Sequence, residues 1–146
     1  MNNFKPESKP TFWINHASRL IMREFEQRLR PLDFGMAYMP GVMALRESGE
    51  LTQKELAERA HVEQPTMAAL LARMQRDGLI LRKPHPQDKR SSRVSLSAKA
   101  KASLPDAITQ LLESADRATS GLSQREQATL IELLRRVVMN LGNLDA

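Results

Sequence analysis

The residues with most capacity for chemistry in this chain are cations, and they are clustered. Between Arg73 and Lys101 stand nine basic side chains (Arg73, Arg76, Arg82, Lys83, Lys89, Arg90, Arg93, Lys99 and Lys101) and two acids, Asp77 and Asp88. That window carries +7 of a chain whose total is +5, so the remainder sums to −2. A charge run can be a solvated face or a phosphate-contacting surface; one this one-sided favours the second. The other candidates for chemistry are sparse. His16, His61 and His85 are far apart and form no ligand-spaced pair, so a metal site is not expected. With no cysteine there is no zinc-thiolate site, disulfide or thiol switch. No glycine-rich phosphate loop, Gly-x-Ser-x-Gly elbow or His-Glu-x-x-His pattern occurs, so no catalysis and no cofactor are expected.

A cationic surface needs elements to hold it, and 146 residues suffice for one domain or for two lobes sharing a core. Aromatics are only 4%, so Leu, Ala, Val, Ile and Met must build the core, a composition that favours helices. No uncharged stretch approaches bilayer length, and the N-terminus lacks a basic start followed by an apolar run. A soluble cytoplasmic protein is the expectation.

Residues 1 to 10 read as a loose arm. Trp13, Ile14, Ala17, Leu20, Ile21, Phe25 and Leu29 then recur at helical spacing, predicting a first helix from Thr11 to Arg30, ended by Pro31. A second is predicted from Tyr38 to Ser48, with Pro40 in its first turn and Gly49 after its end. Thr52 and Glu55 have capping-box spacing, and Leu51 and Leu56 sit as a hydrophobic staple, so a third helix starts there. A fourth begins near Gln64-Pro65 and stops at Gly78, with Met67, Leu70, Leu71 and Met74 inward. Leu79–Lys83 and Arg93–Ser97 read as strands around a turn-rich, charged loop. Ser97 caps a fifth helix, in which Pro105 is expected to produce a kink. Ser123 and Glu126 repeat the capping box and open a sixth. Its apolar set (Leu130, Ile131, Leu133, Leu134, Val137, Val138, Leu141) is wider than one packing face needs, which predicts a subunit interface.

Residues 53 to 70 thus have the spacing of two short helices joined by a tight turn. Ala57 is the small residue where backbones meet, and Leu56, Ala60, Val62, Met67 and Leu70 are the apolar lock. His61 occupies the turn position often held by glycine, and His tolerates positive φ better than most residues. Alone, this is also the pattern of an ordinary helical hairpin. A strand-loop-strand wing and a basic window directly behind it point to DNA.

The order of Leu-Thr-Gln-Lys-Glu-Leu-Ala (51–57), Gln-Pro-Thr-Met (64–67), Arg-Asp-Gly-Leu-Ile (76–80), Asp-Lys-Arg (88–90) and Val-Ser-Leu-Ser (94–97) resembles the MarR family of winged-helix transcriptional regulators. The resemblance covers about residues 11 to 143. It implies a mainly α fold with a small β-hairpin wing, in the order α1-α2-α3-α4-β-wing-β-α5-α6. Residues 1–146 would form a single unit, with 11–35 and 98–146 as dimerisation helices and 36–97 as the DNA-binding lobe. It further implies a homodimer on double-stranded DNA, most often repressing from a pseudo-palindromic operator, with no membrane partner.

Carried over by position, the fourth helix would be the recognition helix, with Gln64, Pro65, Thr66 and Ala69 at its base-facing start. Gln64 would suit an adenine, and Thr66 a thymine methyl or a phosphate. Arg73 would contact backbone, and Thr52 and Gln53 would offer N–H groups and side chains to a phosphate. Arg90, beside Lys89, resembles the wing-tip arginine of the minor groove, and Asp88 would orient the wing. Ala69 is a departure, since relatives often carry a larger polar residue there. Family members often release DNA on binding an aromatic acid or phenol, and Trp13, His16, Tyr38, Met39 and Met43 are the candidate effector pocket. Core packing is the competing role for each of the five. A winged-helix interaction module without DNA binding is the alternative reading of the whole chain.

Overall fold

The computed structural model describes residues 3–88 and 90–142; Lys89, on which one expected DNA contact falls, lies outside them. Contacts divide the chain into two compact units, residues 1–114 and 115–146.

In the first unit, α1 spans Pro10–Leu29 and α2 Met39–Ser48. They are joined by short 3-10 turns at Arg30–Leu32 and Met36–Tyr38. Tyr38 therefore precedes the second helix instead of opening it, since its N–H bonds the Gly35 carbonyl at 3.0 Å and closes the 3-10 turn. Next come β1 (Glu50–Thr52), α3 (Gln53–Ala60), α4 (Gln64–Arg76), β2 (Ile80–Pro84), β3 (Ser92–Leu96) and α5 (Ala98–Ala118).

The three strands form one antiparallel sheet in the order β1-β3-β2, with Leu51 and Arg82 flanking Val94 and Ile80 facing Leu96. The expected pair of strands is a triplet, and β1 is the addition. Three residues are too few to show a period of two, and Thr52 is at once the strand's last residue and the cap of α3. Both wing strands are displaced by one residue from expectation. Ser97 leaves β3 because its hydroxyl donates to the Gly78 carbonyl at 2.6 Å and accepts the Ala100 N–H at 3.1 Å, starting α5. Pro105 stands inside α5, which continues to Ala118.

One apolar cluster holds these elements together. Leu56, Leu71, Leu79, Val94, Ala100 and Ala107 are fully buried, as are Val42 on α2 and Leu29 at the end of α1. Leu51, opposite Val94, and Leu96, opposite Ile80, bring the inner face of the sheet into the same core. The helix pair is thus clamped from behind by strand and helix, which leaves its outer face as a rigid platform. Outside this core, α1 keeps Phe12, Trp13, Leu20 and Met22 exposed.

The second unit holds the end of α5, a turn with Gly121 at φ +86°, and α6 (Gln124–Leu141). Ser123 closes the capping box with Glu126, as its spacing predicts. Those hydrogen bonds to Ser123 hold the Glu126 carboxyl below its ordinary value. None of the residues of α6 is buried, and Leu130, Ile131, Leu133, Leu134, Val138, Met139 and Leu141 are exposed.

Candidate nucleic-acid interface

The interface is built on the turn between α3 and α4. His61 takes the left-handed conformation at φ 54°, ψ 42°, and the Val62 N–H returns to the Ala57 carbonyl at 3.0 Å. Ala57 and Leu56 are buried beneath that crossing with Met67, while Ala60, Val62 and Leu70 pack against it half-buried. The sequence reading of the lock is met residue by residue.

At the start of α4, Gln64, Pro65, Thr66 and Ala69 are all exposed. Glu63 precedes the helix without a side-chain cap, and Pro65 supplies no N–H. The first-turn donors of α4 therefore have no partner of their own from a capping side chain. Helix and side chains present a polar but uncharged edge, with Ala69 contributing only a methyl group.

The start of α3 forms the capping box that its spacing predicts, and this bears on the phosphate contact expected at the same residues. The Thr52 hydroxyl accepts the Glu55 N–H at 3.2 Å and donates to the Glu55 carboxylate at 2.9 Å, while the Thr52 N–H reaches the same carboxylate at 3.4 Å. The hydroxyl and N–H of Thr52 are both committed inside the capping box. A carboxylate also sits where the anion would approach, so Thr52 is a helix cap here. Gln53, next to it, is half-buried.

In the wing, Asp88 accepts two backbone N–H groups. Asp88 Oδ1 accepts the Arg90 N–H at 3.0 Å, and the Asp88 carbonyl accepts the Ser91 N–H at 3.2 Å. His85 Nδ1 accepts the Gln87 N–H at 3.1 Å on the other limb. These are local side-chain turns of the kind Asp supports, and they leave the Arg90 side chain exposed at the tip.

Electrostatics within the basic window are less uniform than the count implies. Lys99 pairs with Asp33 at 2.7 Å, Arg93 with Glu50 at 3.6 Å and Arg76 with Asp77 at 3.7 Å. Among the described residues, Arg73, Arg82, Lys83, Arg90 and Lys101 have no ion pair. The free positive charge is therefore concentrated on α4, β2, the wing tip and the start of α5.

Arg73 is nevertheless not loose. Its guanidinium carbon lies 5.5 Å from the centroid of the Tyr38 ring. Tyr38 is 5% exposed and donates its hydroxyl to Asp77 Oδ2 at 2.9 Å. Burial, then the bond to the Asp77 carboxylate, pushes the Tyr38 hydroxyl above the ordinary tyrosine value. Sequence reasoning did not associate Tyr38 with this face; the contact spans 35 residues and no short-range pattern encodes it.

The five candidate pocket residues are not gathered in one cavity. Tyr38 borders a hollow of about 260 Å³ with Glu26, Arg73 and Asp77, and Met43 borders another with Pro40 and Arg59. Met39 is core, while Trp13 and His16 are exposed on α1, where Trp13 Nε1 donates to the Glu7 carbonyl and Phe12 stacks near His16. Within one chain the five lie apart, because the Trp13 and His16 end of α1 is exposed while Met39 is in the core. Among the described residues, no group of three or more His, Cys, Asp or Glu could hold a metal ion, and no helix is long and apolar enough to cross a membrane.

A helix pair with a left-handed turn, a three-stranded sheet and a charged wing define a winged helix-turn-helix. A sequence model of the MarR family matches residues 41–92, which span the helix pair, β2 and the wing loop up to the start of β3. An HTH-type transcriptional regulator of Bacillus cereus, itself uncharacterized, is 32% identical over 125 residues, covering 85% of this chain and 81% of the relative. The HTH-type transcriptional repressor IacR of Pseudomonas putida is 24% identical over 143 residues, covering 98% and 86%. Among solved structures, a mutant MarR from E. coli complexed with operator DNA superimposes with a TM-score of 0.74 at 26% identity, covering 86% of this chain and 91% of that one. The chain belongs to the MarR family of transcriptional regulators.

Proposed function

We propose that this regulator binds double-stranded DNA as a homodimer at a pseudo-palindromic operator and represses transcription from it. The observation that carries the reading is the pairing of an exposed, uncapped α4 start with an exposed Arg90 on a wing tied down by Asp88. A helix start offers N–H groups and short polar side chains to base edges, and a guanidinium beside it suits a narrow minor groove. The relative in complex with operator DNA supports the assignment.

In this account residues 36–97 are the DNA-binding lobe, and 11–35 and 98–146 supply the dimer. Gln64 and Thr66 reach base edges, Pro65 and Ala69 make apolar contact, Gln53 and Arg73 meet the backbone, and Arg90, with Lys89, enters the adjacent groove. The exposed apolar side chains of α1 and α6 are what a second copy would cover. A small aromatic or phenolic ligand that releases DNA belongs to the same proposal. Because the five candidates share no cavity within one chain, the second copy would have to complete its pocket.

The test is analytical ultracentrifugation together with titration of the protein against its own upstream DNA. A dimer that protects two half-sites about 10 base pairs apart supports the reading. A monomer without preference for that DNA overturns it.

A further inference from the structure

Tyr38 lies under the C-terminal half of the recognition helix and touches it at two positions one turn apart. The face of its ring carries the guanidinium of Arg73, and its hydroxyl donates to the carboxylate of Asp77. Asp77 is itself held from the far side, its carbonyl accepting Lys99 Nζ at 2.9 Å while the same ammonium pairs with Asp33 at 2.7 Å. The Glu26 carboxylate meanwhile accepts the Met36 N–H at 2.7 Å, fixing the turn from which Tyr38 projects. Tyr38 is thus a buried, rigid aromatic on a braced turn, and Arg73 is an exposed cation with no ion pair among the described residues.

We infer that Tyr38 is a positioning residue for DNA binding, its ring holding the Arg73 guanidinium in the orientation that meets a phosphate. The inference rests on the DNA-binding reading above. An exposed arginine samples many rotamers, and ordering it on binding weakens the complex. Stacking over an aromatic face removes much of that cost in advance, since the planar guanidinium keeps its N–H fork free at the edge. The Arg73 guanidinium carbon lies 5.5 Å from the ring centroid and the group has no ion pair among the described residues, so its N–H groups are left for bidentate contact to phosphate oxygens. Asp77 contributes in the opposite sense. Its carboxylate is one turn from Arg73 and would pair with it, and the Tyr38 hydroxyl occupies one oxygen of that competitor.

The test is a double-mutant cycle on duplex affinity, measured by fluorescence anisotropy with full-length protein and its upstream DNA. Tyr38→Leu is expected to weaken binding about five- to twentyfold when both protomers of the dimer lose the stack. In an Arg73→Ala background the same substitution should change affinity less than twofold. Tyr38→Phe keeps the ring and should restore at least half of the loss. Arg73→Lys, which sits on the surface and leaves the fold intact, keeps the charge without the planar face. It should lose at least half as much affinity as Arg73→Ala.

Equal losses from Tyr38→Leu in both backgrounds would mean that the tyrosine only stabilises the fold, and would overturn the inference. So would wild-type affinity in Arg73→Lys. If the wild-type protein and Arg90→Ala both fail to bind duplex at all, the DNA reading falls and this inference with it. Retained wild-type binding with a flat cycle removes the positioning role alone.

Discussion

Replacing Arg90 by alanine should change how salt governs DNA binding, more than it changes anything else about the protein. Arg90 is exposed at the wing tip, has no ion pair among the described residues, and only its backbone N–H is tied to Asp88. The hydrogen bond from the Arg90 backbone N–H to the Asp88 carboxylate survives the substitution, so the wing keeps its shape, and stability should stay within about 0.5 kcal/mol of wild type. What disappears is one cation per protomer. Each cation neutralising the duplex contributes a slope of about 0.9 in log K against log salt, so a dimer losing two falls by about 1.8. Between about 50 and about 200 mM salt, a fourfold rise, the affinity gap between wild type and variant should therefore narrow about twelvefold. Anisotropy titrations at four or five salt concentrations read the two slopes directly. Parallel lines would refute the reasoning and would place Arg90 in solvent, away from the duplex.

Three further outcomes follow from the geometry. His61→Gly relieves a non-glycine residue of its left-handed backbone, and after the greater freedom of glycine in the unfolded chain is subtracted, it should be neutral to about 1 kcal/mol stabilising; a loss of more than 1 kcal/mol in denaturant unfolding would contradict the turn geometry. Thr52→Ala removes the capping box of α3 and should cost about 1 kcal/mol in the same assay, while leaving the salt slope unchanged because Thr52 is committed to Glu55. Tyr38 is the single tyrosine, so absorbance near 295 nm follows it alone. Its folded value is raised, so its contribution to stability is complete below the unfolded value of about 10 and is lost as pH rises through the folded one. A midpoint at or below 10 in the folded protein would contradict its burial.

Much of this molecule is written in short-range signals. Thr52 with Glu55 and Ser123 with Glu126 announce their helices because the capping box is a contact between residues three apart. His61 sits where a turn needs positive φ, and Gly78 adopts φ +75° after α4, so the helix pair was legible almost to the residue. The order of motifs supplied the rest of the family resemblance. What was not legible depends on partners distant in sequence. β1 exists because Leu51 lies opposite Val94, 43 residues on. The spacing of Thr52 and Glu55 encodes the cap, and the same contact takes the Thr52 hydroxyl and N–H away from an anion. Among the described residues, Arg76, Arg93 and Lys99 of the basic window are drawn into pairs, the last two with Glu50 and Asp33 outside the window. In sequence Tyr38 stands with Met39 and Met43, the company of a pocket residue; in space it also meets Arg73 and Asp77.

The central claim, that the helix pair and wing read DNA, is tested most directly by one titration. Full-length protein is titrated against duplex from its own upstream region and against random duplex of equal length, at rising salt. The account predicts a preference of about a thousandfold or more for the upstream duplex near physiological salt, with both affinities falling as salt rises. Indistinguishable affinity for the two duplexes, or binding that salt does not weaken, would contradict it.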